Sequence, residues 1–176
     1  GDMIEIWQES ALKMKKNILN IKGIDPSSGM LNVAKEKFPN VEFIEAGAQN
    51  LPLESQSLDI LSISYGIRNV VERQKALSEF ARVLQKDGIL VVLEFTKREK
   101  GGFIAACRDF YLKNILPNIG GIISKNKSAY EYLPNSIEGF LSKDEFISEF
   151  EKAGFKLLEF KSLSFGISSM FILQKI

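Results

Sequence analysis

The stretch from residue 89 to residue 95 reads Ile-Leu-Val-Val-Leu-Glu-Phe, an apolar run with one glutamate inside it. Runs of this kind are typical of strands that are covered on both faces, as in the parallel sheets of α/β proteins. The run therefore constrains the fold towards an internal strand packed between helices. We expect an α/β chain with a mostly parallel sheet.

Predicted strands and helices alternate through the first half of the chain. Pro26 and the serines beside it favour the start of one of these helices, because proline fits a first helical turn and serine caps it. Strands that alternate with helices of about a dozen residues indicate βαβ units. Besides residues 89–95, strands are predicted at 18–24, 41–46 and 60–64, and helices at 3–16, 28–37 and 72–84. A turn at Asp87 and Gly88 is predicted to lead into the strand at residues 89–95.

The last part of the chain follows a different order. Ser142 is a predicted helix cap with Glu145 as its capping-box partner, and this helix is expected to end at Gly154. The two strands that follow are predicted to form an antiparallel pair at one edge of the sheet. The helix is predicted at residues 143–153 and the strands at 155–163 and 167–176.

The composition excludes several classes of function. Among 176 residues, 23 Lys and Arg balance 22 Asp and Glu, so the net charge of +1 predicts no strong attraction to nucleic acid. Histidine is absent, which removes Ser-His and Cys-His dyads and argues against a zinc or haem site. The single cysteine, Cys107, forms no internal disulfide and favours a reducing compartment, so we expect a cytoplasmic protein. The sequence contains no apolar run of about eighteen residues, so no membrane span is predicted.

Small and polar residues follow three of the predicted strands. Asp25 comes after the first, Gly47 and Ala48 follow the second, and Ser64 ends the third. Each has an ordinary alternative: the aspartate can satisfy amides at a helix start, the glycine can serve a turn, and the serine can be structural. Because ligands of open α/β sheets bind outside the carboxyl ends of the strands, we expect these positions to converge on one crevice.

Several longer segments resemble one enzyme family. They are residues 23–31, Gly-Ile-Asp-Pro-Ser-Ser-Gly-Met-Leu, residues 64–69, Ser-Tyr-Gly-Ile-Arg-Asn, and residues 130–137, Tyr-Glu-Tyr-Leu-Pro-Asn-Ser-Ile. In the same order along nearly the whole chain, they are similar to the C-methyltransferases of ubiquinone and menaquinone biosynthesis. The departures are Gly47, where relatives often carry asparagine, and Tyr65, where many carry phenylalanine.

The resemblance implies a class I methyltransferase that uses S-adenosylmethionine. Its fold would be a Rossmann-like, mostly parallel seven-stranded sheet with an antiparallel last strand, and the first strand would lie before Gly1. Residues 1–176 would form a single domain in which residues 101–140 are a helical insertion covering the substrate. The implied cofactor contacts are Gly1 and Asp2 of the family's Gly-Thr-Gly-Asp loop, Asp25 on the ribose hydroxyls, Gly47 and Ala48 along the adenine, and Ser64 beside the methionine part.

The same resemblance implies methyl transfer to a ring carbon of a polyprenylated quinol, which is demethylmenaquinol, the ubiquinone-precursor benzoquinol, or both. Since the chain has no histidine, Arg68 and Asn69 are candidates to stabilise the oxyanion that develops on the ring, directly or through an ordered water. The alternative for Arg68 is a structural ion pair. The candidate substrate contacts are aromatic: Tyr65, Phe103, Tyr111, Tyr130 and Tyr132.

Two other functions stay open at this level. A class I methyltransferase can act on another small molecule, and a domain of this kind can bind the cofactor without catalysis and serve as an assembly subunit. We expect no metal and no nucleic-acid partner. Transient contact with the surface of the inner membrane, suggested by the lipid tail of the substrate, and a homodimer are further expectations.

Overall fold

The computed structural model describes residues 2–16, 18, 20–97 and 136–176. Contacts between residues divide the chain into two compact units, Gly1–Glu54 and Ser55–Ile176. The single domain with a helical insertion at residues 101–140 stays a prediction, and most of that insertion lies outside the described residues. Within the described ranges, no helix is both long enough and apolar enough to cross a membrane.

The first unit contains two helices and a parallel pair of strands. Its elements are α1 (Asp2–Lys13), β1 (Lys22–Asp25), α2 (Ser28–Lys37) and β2 (Glu42–Glu45). The ladder between β1 and β2 begins where Lys22 lies opposite Glu42. The strand predicted at residues 18–24 is therefore shorter and lies later in the chain, because β2 offers no partner to the residues before Lys22.

Local contacts explain why α2 and β1 form where they do. The hydroxyl of Ser27 caps α2 by accepting a hydrogen bond from the N–H of Met30 at 3.3 Å. Gly23 lies opposite Phe43 in the ladder, and a Cβ at position 23 would stand 2.4 Å from that ring. Such a close approach requires glycine. The helix predicted at residues 28–37 is confirmed at both ends.

The second unit is built on a four-stranded sheet. Its elements are β3 (Leu58–Ser64), α3 (Arg73–Val83), β4 (Leu84–Glu94), α4 (Lys143–Lys152), β5 (Phe155–Leu163) and β6 (Ser168–Lys175), with short 3₁₀ turns at Ile67–Asn69 and Ser164–Gly166. The strand order is β3–β4–β6–β5. β3 and β4 are parallel and are connected through α3, whereas β6 is antiparallel to both of its neighbours. The predicted antiparallel pair is confirmed, and β5 is the edge strand.

The apolar run at residues 89–95 forms most of β4, but this strand begins earlier than predicted. The turn expected at Asp87 and Gly88 is an irregularity within the strand, where the register of pairing with β3 shifts before Ile89. Asp87 has a φ of 63°, and a Cβ at Gly88 would stand 2.9 Å from the carbonyl oxygen of Gln85. The tight backbone of a bulge thus replaces the predicted turn.

Aromatic side chains fill the core of the second unit. The rings of Phe146 and Phe150 on α4 each lie 5.4 Å from the ring of Phe171 on β6, measured between centroids. All three are fully buried, and burial of such a side chain stabilises the fold by about 1.5–3 kcal/mol. The apolar face predicted for the third helix is also buried, at Ala76, Leu77, Phe80, Val83 and Leu84.

Both ends of α4 follow the sequence signals. The Ser142 hydroxyl accepts a hydrogen bond from the N–H of Glu145 at 3.4 Å, and the Glu145 carboxylate accepts one from the N–H of Ser142 at 2.8 Å. These bonds form the predicted capping box. Gly154 follows the helix with a φ of 87°, a conformation that favours glycine.

Candidate active site

Asp25 lies at the carboxyl end of β1, beside the end of β2. The N–H of Ala46 donates a hydrogen bond to the carbonyl oxygen of Asp25 at 3.3 Å, which holds the two strand ends side by side. The Asp25 carboxylate accepts a hydrogen bond from the N–H of Ser27 at 2.8 Å through Oδ1. One oxygen therefore satisfies an amide at the helix start, as the alternative reading expects. The second oxygen, Oδ2, has no hydrogen-bond partner within the described residues.

The turn after β2 places Gly47 and Ala48 at the same end of the strand pair. The N–H of Asn50 donates to the carbonyl oxygen of Gly47 at 3.1 Å and closes the turn. A Cβ at position 47 would stand 3.0 Å from Oε1 of Gln49, so a side chain there would have to displace Gln49. The glycine serves the turn and also leaves its backbone uncovered by a side chain, which a flat ligand needs.

Ser64 ends β3 in the second unit. Its hydroxyl oxygen is buried and has no hydrogen-bond partner, and it is the one side-chain oxygen or nitrogen in this condition among the described residues. Leaving a buried polar atom unsatisfied costs about 1–3 kcal/mol. Such atoms are rare in folded proteins, so this hydroxyl is suited to a ligand that can complete its hydrogen bonding.

Tyr65 follows in a left-handed conformation, with a φ of 53°. Its N–H donates to the carbonyl oxygen of Leu93 at 2.8 Å, which attaches the turn to β4. Its phenol oxygen lies 3.1 Å from Oγ of Ser168, and its ring lies 4.6 Å from the ring of Phe95, between centroids. Positive φ is uncommon for a bulky residue and often marks functional sites. The side chain is 40% exposed, so part of this aromatic surface can meet a ligand.

Arg68 lies on the 3₁₀ turn after Tyr65 and forms a buried ion pair with Glu94. The Arg68 side chain is 7% exposed and the Glu94 side chain is fully buried. Nη1 of Arg68 donates to Oε1 of Glu94, and Nε of Arg68 donates to Oγ of Ser136 at 3.1 Å. The guanidinium also lies over the ring of Phe95, 5.3 Å from its centroid. The structural ion pair considered for Arg68 is therefore present.

Two opposing effects act on the pKa of Glu94. Burial raises the pKa of Glu94 above the ordinary carboxyl value, and this is the largest effect. The positive charge of Arg68 and hydrogen bonds from the amides of Phe95 and Arg68 act against it. The pair does not by itself decide whether Arg68 is catalytic, because Nη2 of Arg68 has no acceptor among the described residues. The catalytic role of Arg68 stays a prediction.

Asn69 ends the 3₁₀ turn. Its N–H donates to the carbonyl oxygen of Gly66 at 3.1 Å. Its side chain is exposed, and the part of the chain that the structure describes offers it no hydrogen-bond partner. The amide is thus available to a substrate oxygen or a water.

The sequence matches a known protein family over nearly its whole length. The profile of the ubiE/COQ5 methyltransferase family matches residues 3–175. The chain belongs to this family. It is 91% identical, over 176 residues, to the ubiquinone/menaquinone biosynthesis C-methyltransferase UbiE of Campylobacter jejuni, a match that covers all of this chain and 75% of the relative. It is 37% identical to the demethylmenaquinone methyltransferase of Thermotoga maritima, over 92% of this chain and 70% of that protein.

The fold is also that of solved methyltransferases. The crystal structure of a SAM-dependent methyltransferase from Aquifex aeolicus superposes with a TM-score of 0.62 and covers 89% of this chain and 69% of that one. At 18% sequence identity this likeness shows the fold alone. The predicted class I α/β fold is confirmed, and the ubiE/COQ5 family and this fold together imply S-adenosylmethionine as the methyl donor.

The described residues of this ubiE/COQ5 family member fit that cofactor. Asp25 offers an unpaired carboxylate oxygen, Gly47 offers an uncovered backbone, and Ser64 offers an unsatisfied hydroxyl. Each lies at the carboxyl end of a strand in its own unit, where α/β sheets bind ligands. Within the described ranges, no cluster of three or more acidic or cysteine side chains could hold a metal ion.

Several predicted site residues are not among the residues that the structure describes. They are Gly1 and the side chain of Asp2, and the aromatic residues Phe103, Tyr111, Tyr130 and Tyr132. Conversely, sequence reasoning missed the contacts of Arg68 with Glu94 and Ser136. The signal for Glu94 was present, because it is the single charged residue in the apolar run at residues 89–95.

Proposed function

We propose that this protein transfers a methyl group from S-adenosylmethionine to a ring carbon of a polyprenylated quinol. The acceptor is demethylmenaquinol, the benzoquinol precursor of ubiquinone, or both. The observation that carries the proposal is the match to the ubiE/COQ5 family over residues 3–175, with a 91% identical relative named for both quinone pathways. The Thermotoga maritima relative, named for demethylmenaquinone alone, keeps the naphthoquinol as the first substrate to assay.

The cofactor would be held by residues that lie at the carboxyl ends of strands. Asp25 would accept hydrogen bonds from the ribose hydroxyls through Oδ2, and Gly47 and Ala48 would lie along the adenine. Ser64 would complete its hydrogen bonding with the methionine part. Gly1 and Asp2 would represent the family's glycine loop, and Asp2 is also the first residue of α1. When bound, S-adenosylmethionine supplies a methyl group that its sulfonium already activates. The residues of the chain must therefore mainly align a carbon nucleophile and exclude water.

Arg68 and Asn69 would act on the quinol oxygen. A ring carbon becomes nucleophilic when the adjacent hydroxyl loses its proton, and the pKa of a phenol is near 10. Donors that stabilise the developing oxyanion make this loss possible near neutral pH. A guanidinium is a cation with a planar fork of donors. Nη2 of Arg68 has no acceptor among the described residues, and the side chain of Asn69 is exposed. An ordered water held by these two groups would carry the proton away.

Aromatic residues would contact the quinol and its tail. Tyr65 is the one of them that the structure describes, with its ring stacked near Phe95 and partly exposed. Phe103, Tyr111, Tyr130 and Tyr132 belong with the proposed helical insertion at residues 101–140. Because the polyprenyl tail is a lipid, the substrate brings the protein into contact with a membrane surface. A homodimer and a cytoplasmic location stay predictions.

Two measurements on the purified protein test this proposal. Calorimetric titration with S-adenosylmethionine is expected to show binding, and a radiolabelled methyl group is expected to appear on demethylmenaquinol with a short prenyl tail. Binding without transfer to either quinol class would favour a methyltransferase for another small molecule. Binding without any transfer is also the result expected of a non-catalytic assembly subunit, whereas absence of binding would contradict the cofactor assignment.

A further inference from the structure

Glu94 is a fully buried carboxylate at the end of β4. A buried charge costs free energy unless it is paired and hydrogen-bonded. The chain nevertheless carries this glutamate in a strand that is otherwise apolar from residue 89 to residue 95. Its contacts must therefore explain its presence.

Among the described residues, Arg68 supplies two of the three hydrogen bonds that Glu94 accepts. Oε2 accepts from the backbone N–H of Arg68 at 3.1 Å, and Oε1 accepts from Nη1 of Arg68. Oε1 also accepts from the N–H of Phe95 at 2.8 Å. The main-chain bond fixes the 3₁₀ turn at Ile67–Asn69 against the end of β4. The side-chain bond fixes the guanidinium of the same residue.

The remaining contacts of Arg68 complete this restraint. Nε donates to Ser136, and Phe95 lies under the guanidinium. Arginine has five N–H donors in a planar fork. With Nε bound to Ser136 and one Nη1 hydrogen bound to Glu94, both Nη2 hydrogens are without an acceptor among the described residues. The restrained guanidinium thus keeps one donor edge for another group.

We propose that Glu94 is a positioning residue for methyl transfer. Glu94 acts through Arg68, because it fixes both the 3₁₀ turn that carries Arg68 and the guanidinium of Arg68. The inference rests on the proposed function, in which the Nη2 edge of Arg68 meets the quinol oxygen. Of the residues that the structure describes, Arg68 is the charged group placed against Glu94, and Ser169, which pairs with Glu94 from β6, is neutral. Removing the carboxylate charge would therefore change both the orientation of Arg68 and the charge that the quinol oxygen meets.

A second ion pair in the same unit provides a matched control. Arg73 on α3 is bound to Glu149 on α4 through Nε and Nη2, at 2.6 Å and 2.9 Å. Its guanidinium lies over the ring of Phe140 at 5.2 Å. This pair repeats the chemistry of the Arg68 pair, and neither partner belongs to the proposed site. A Glu149→Gln variant reports the effect of losing a structural pair.

The experiment compares Glu94→Gln, Glu94→Asp and Glu149→Gln with the parent protein. Each is assayed for folding, for S-adenosylmethionine binding, and for kcat and KM with demethylmenaquinol across pH. Glu94→Gln is expected to lower kcat at least tenfold, with cofactor affinity within twofold. The substrate-linked limb of its pH profile is expected to move to lower pH, because the Arg68 charge is no longer neutralised. Glu149→Gln is expected to change neither kcat nor the profile.

Glu94→Asp keeps the charge but is one methylene shorter, so it cannot serve the turn and the guanidinium together. Its kcat is expected to fall while its pH profile stays like that of the parent protein. If Glu94→Gln fails to fold, this variant decides the question. A kcat within twofold of the parent in either folded Glu94 variant overturns this inference and leaves the proposed function standing. A parent protein that binds the cofactor but methylates no quinol overturns the proposed function, and the inference with it.

Discussion

Two arginine–glutamate pairs in the second unit have neighbouring arginines in the sequence and differ in burial. Arg73 and Glu149 join α3 to α4 with exposed side-chain fractions of 22% and 18%, whereas Arg68 and Glu94 are 7% and 0% exposed. Both guanidinium groups lie over a phenylalanine ring, Phe140 for the first pair and Phe95 for the second. Because the two pairs are chemically so similar, we expect differences in stability and turnover between their variants to come from position and burial.

The two environments also act differently on the charges. The hydrogen bond to Glu149 raises the pKa of Arg73, which was already far above neutrality. Burial raises the pKa of Glu94 towards conditions in which it can be protonated. The partly exposed pair thus stabilises the charge of Arg73, while the buried pair holds a carboxylate, that of Glu94, whose ionisation has a free-energy cost. The following predictions test this difference.

The largest expected effect is on stability, after removal of one partner of the buried pair. Arg68→Met leaves the Glu94 carboxylate buried without its cation, which is expected to lower the free energy of unfolding by about 3–5 kcal/mol. Adding Glu94→Gln removes the stranded charge and keeps an acceptor for the Arg68 amide, so the double variant is expected to recover a large part of the loss. Urea unfolding of both variants measures this, and simple additivity of the two changes would contradict it.

The next effect is on turnover. Arg68→Lys keeps a cation opposite Glu94 but loses the planar fork, so an oxyanion donor is lost. Turnover is expected to fall by roughly a hundredfold or more, with S-adenosylmethionine affinity unchanged in a calorimetric titration. Arg73→Lys is the matched change in the other pair and is expected to keep normal turnover. Normal turnover in a folded Arg68→Lys protein would leave Arg68 with a structural role only.

A smaller effect is expected on the pH dependence of stability. Since the pKa of Glu94 is raised in the folded state, the folded protein binds more protons than the unfolded chain between the ordinary carboxyl pKa and the raised one. The contribution of Glu94 to the free energy of unfolding therefore decreases as pH rises through that window. Glu94→Gln is expected to remove this slope and Glu149→Gln to retain it. Urea unfolding at a series of pH values tests the sign, and an unchanged slope in Glu94→Gln would refute it.

The smallest effect is expected from the partly exposed pair. Glu149→Gln is expected to lower the free energy of unfolding by only about 0.2–1 kcal/mol, because solvent screens the pair and holding two long side chains costs entropy. Thermal or urea unfolding measures the change. A loss as large as that of Arg68→Met would show that burial is not what distinguishes the pairs.

Much of the fold could be predicted from local patterns. The bounds of α2 and β5 match the predicted ranges, because helix caps and strand periodicity are encoded nearby in the sequence. β1 and β4 differ from their predicted starts, since a ladder partner decides where a strand begins. The register between strands, such as Glu94 opposite Ser169, depends on residues far apart in the chain and has no local signal.

In the candidate site, too, features with a local sequence signal could be predicted and contacts between distant residues could not. Asp25, Gly47 and Ser64 were expected at strand ends and lie there, because a polar or small residue after an apolar run marks that point. The partners of Arg68 were not predicted. Glu94 and Ser136 reach it only through folding of segments that are 26 and 68 residues away. Sequence reasoning named the ion pair as an alternative but could not name the partner.

The place of β6 in the sheet affects how the protein is made. Leu90 of β4 pairs with Leu173, so β4 stays without its second neighbour until the segment that contains Leu173 has been synthesised. Pairing between distant segments is slow, and an unpaired hydrophobic strand edge can recruit other chains. The nascent second unit therefore passes through a stage in which the apolar run at residues 89–95 is open to intermolecular association. Chains that stop before β6 are consequently expected to need chaperones or to aggregate.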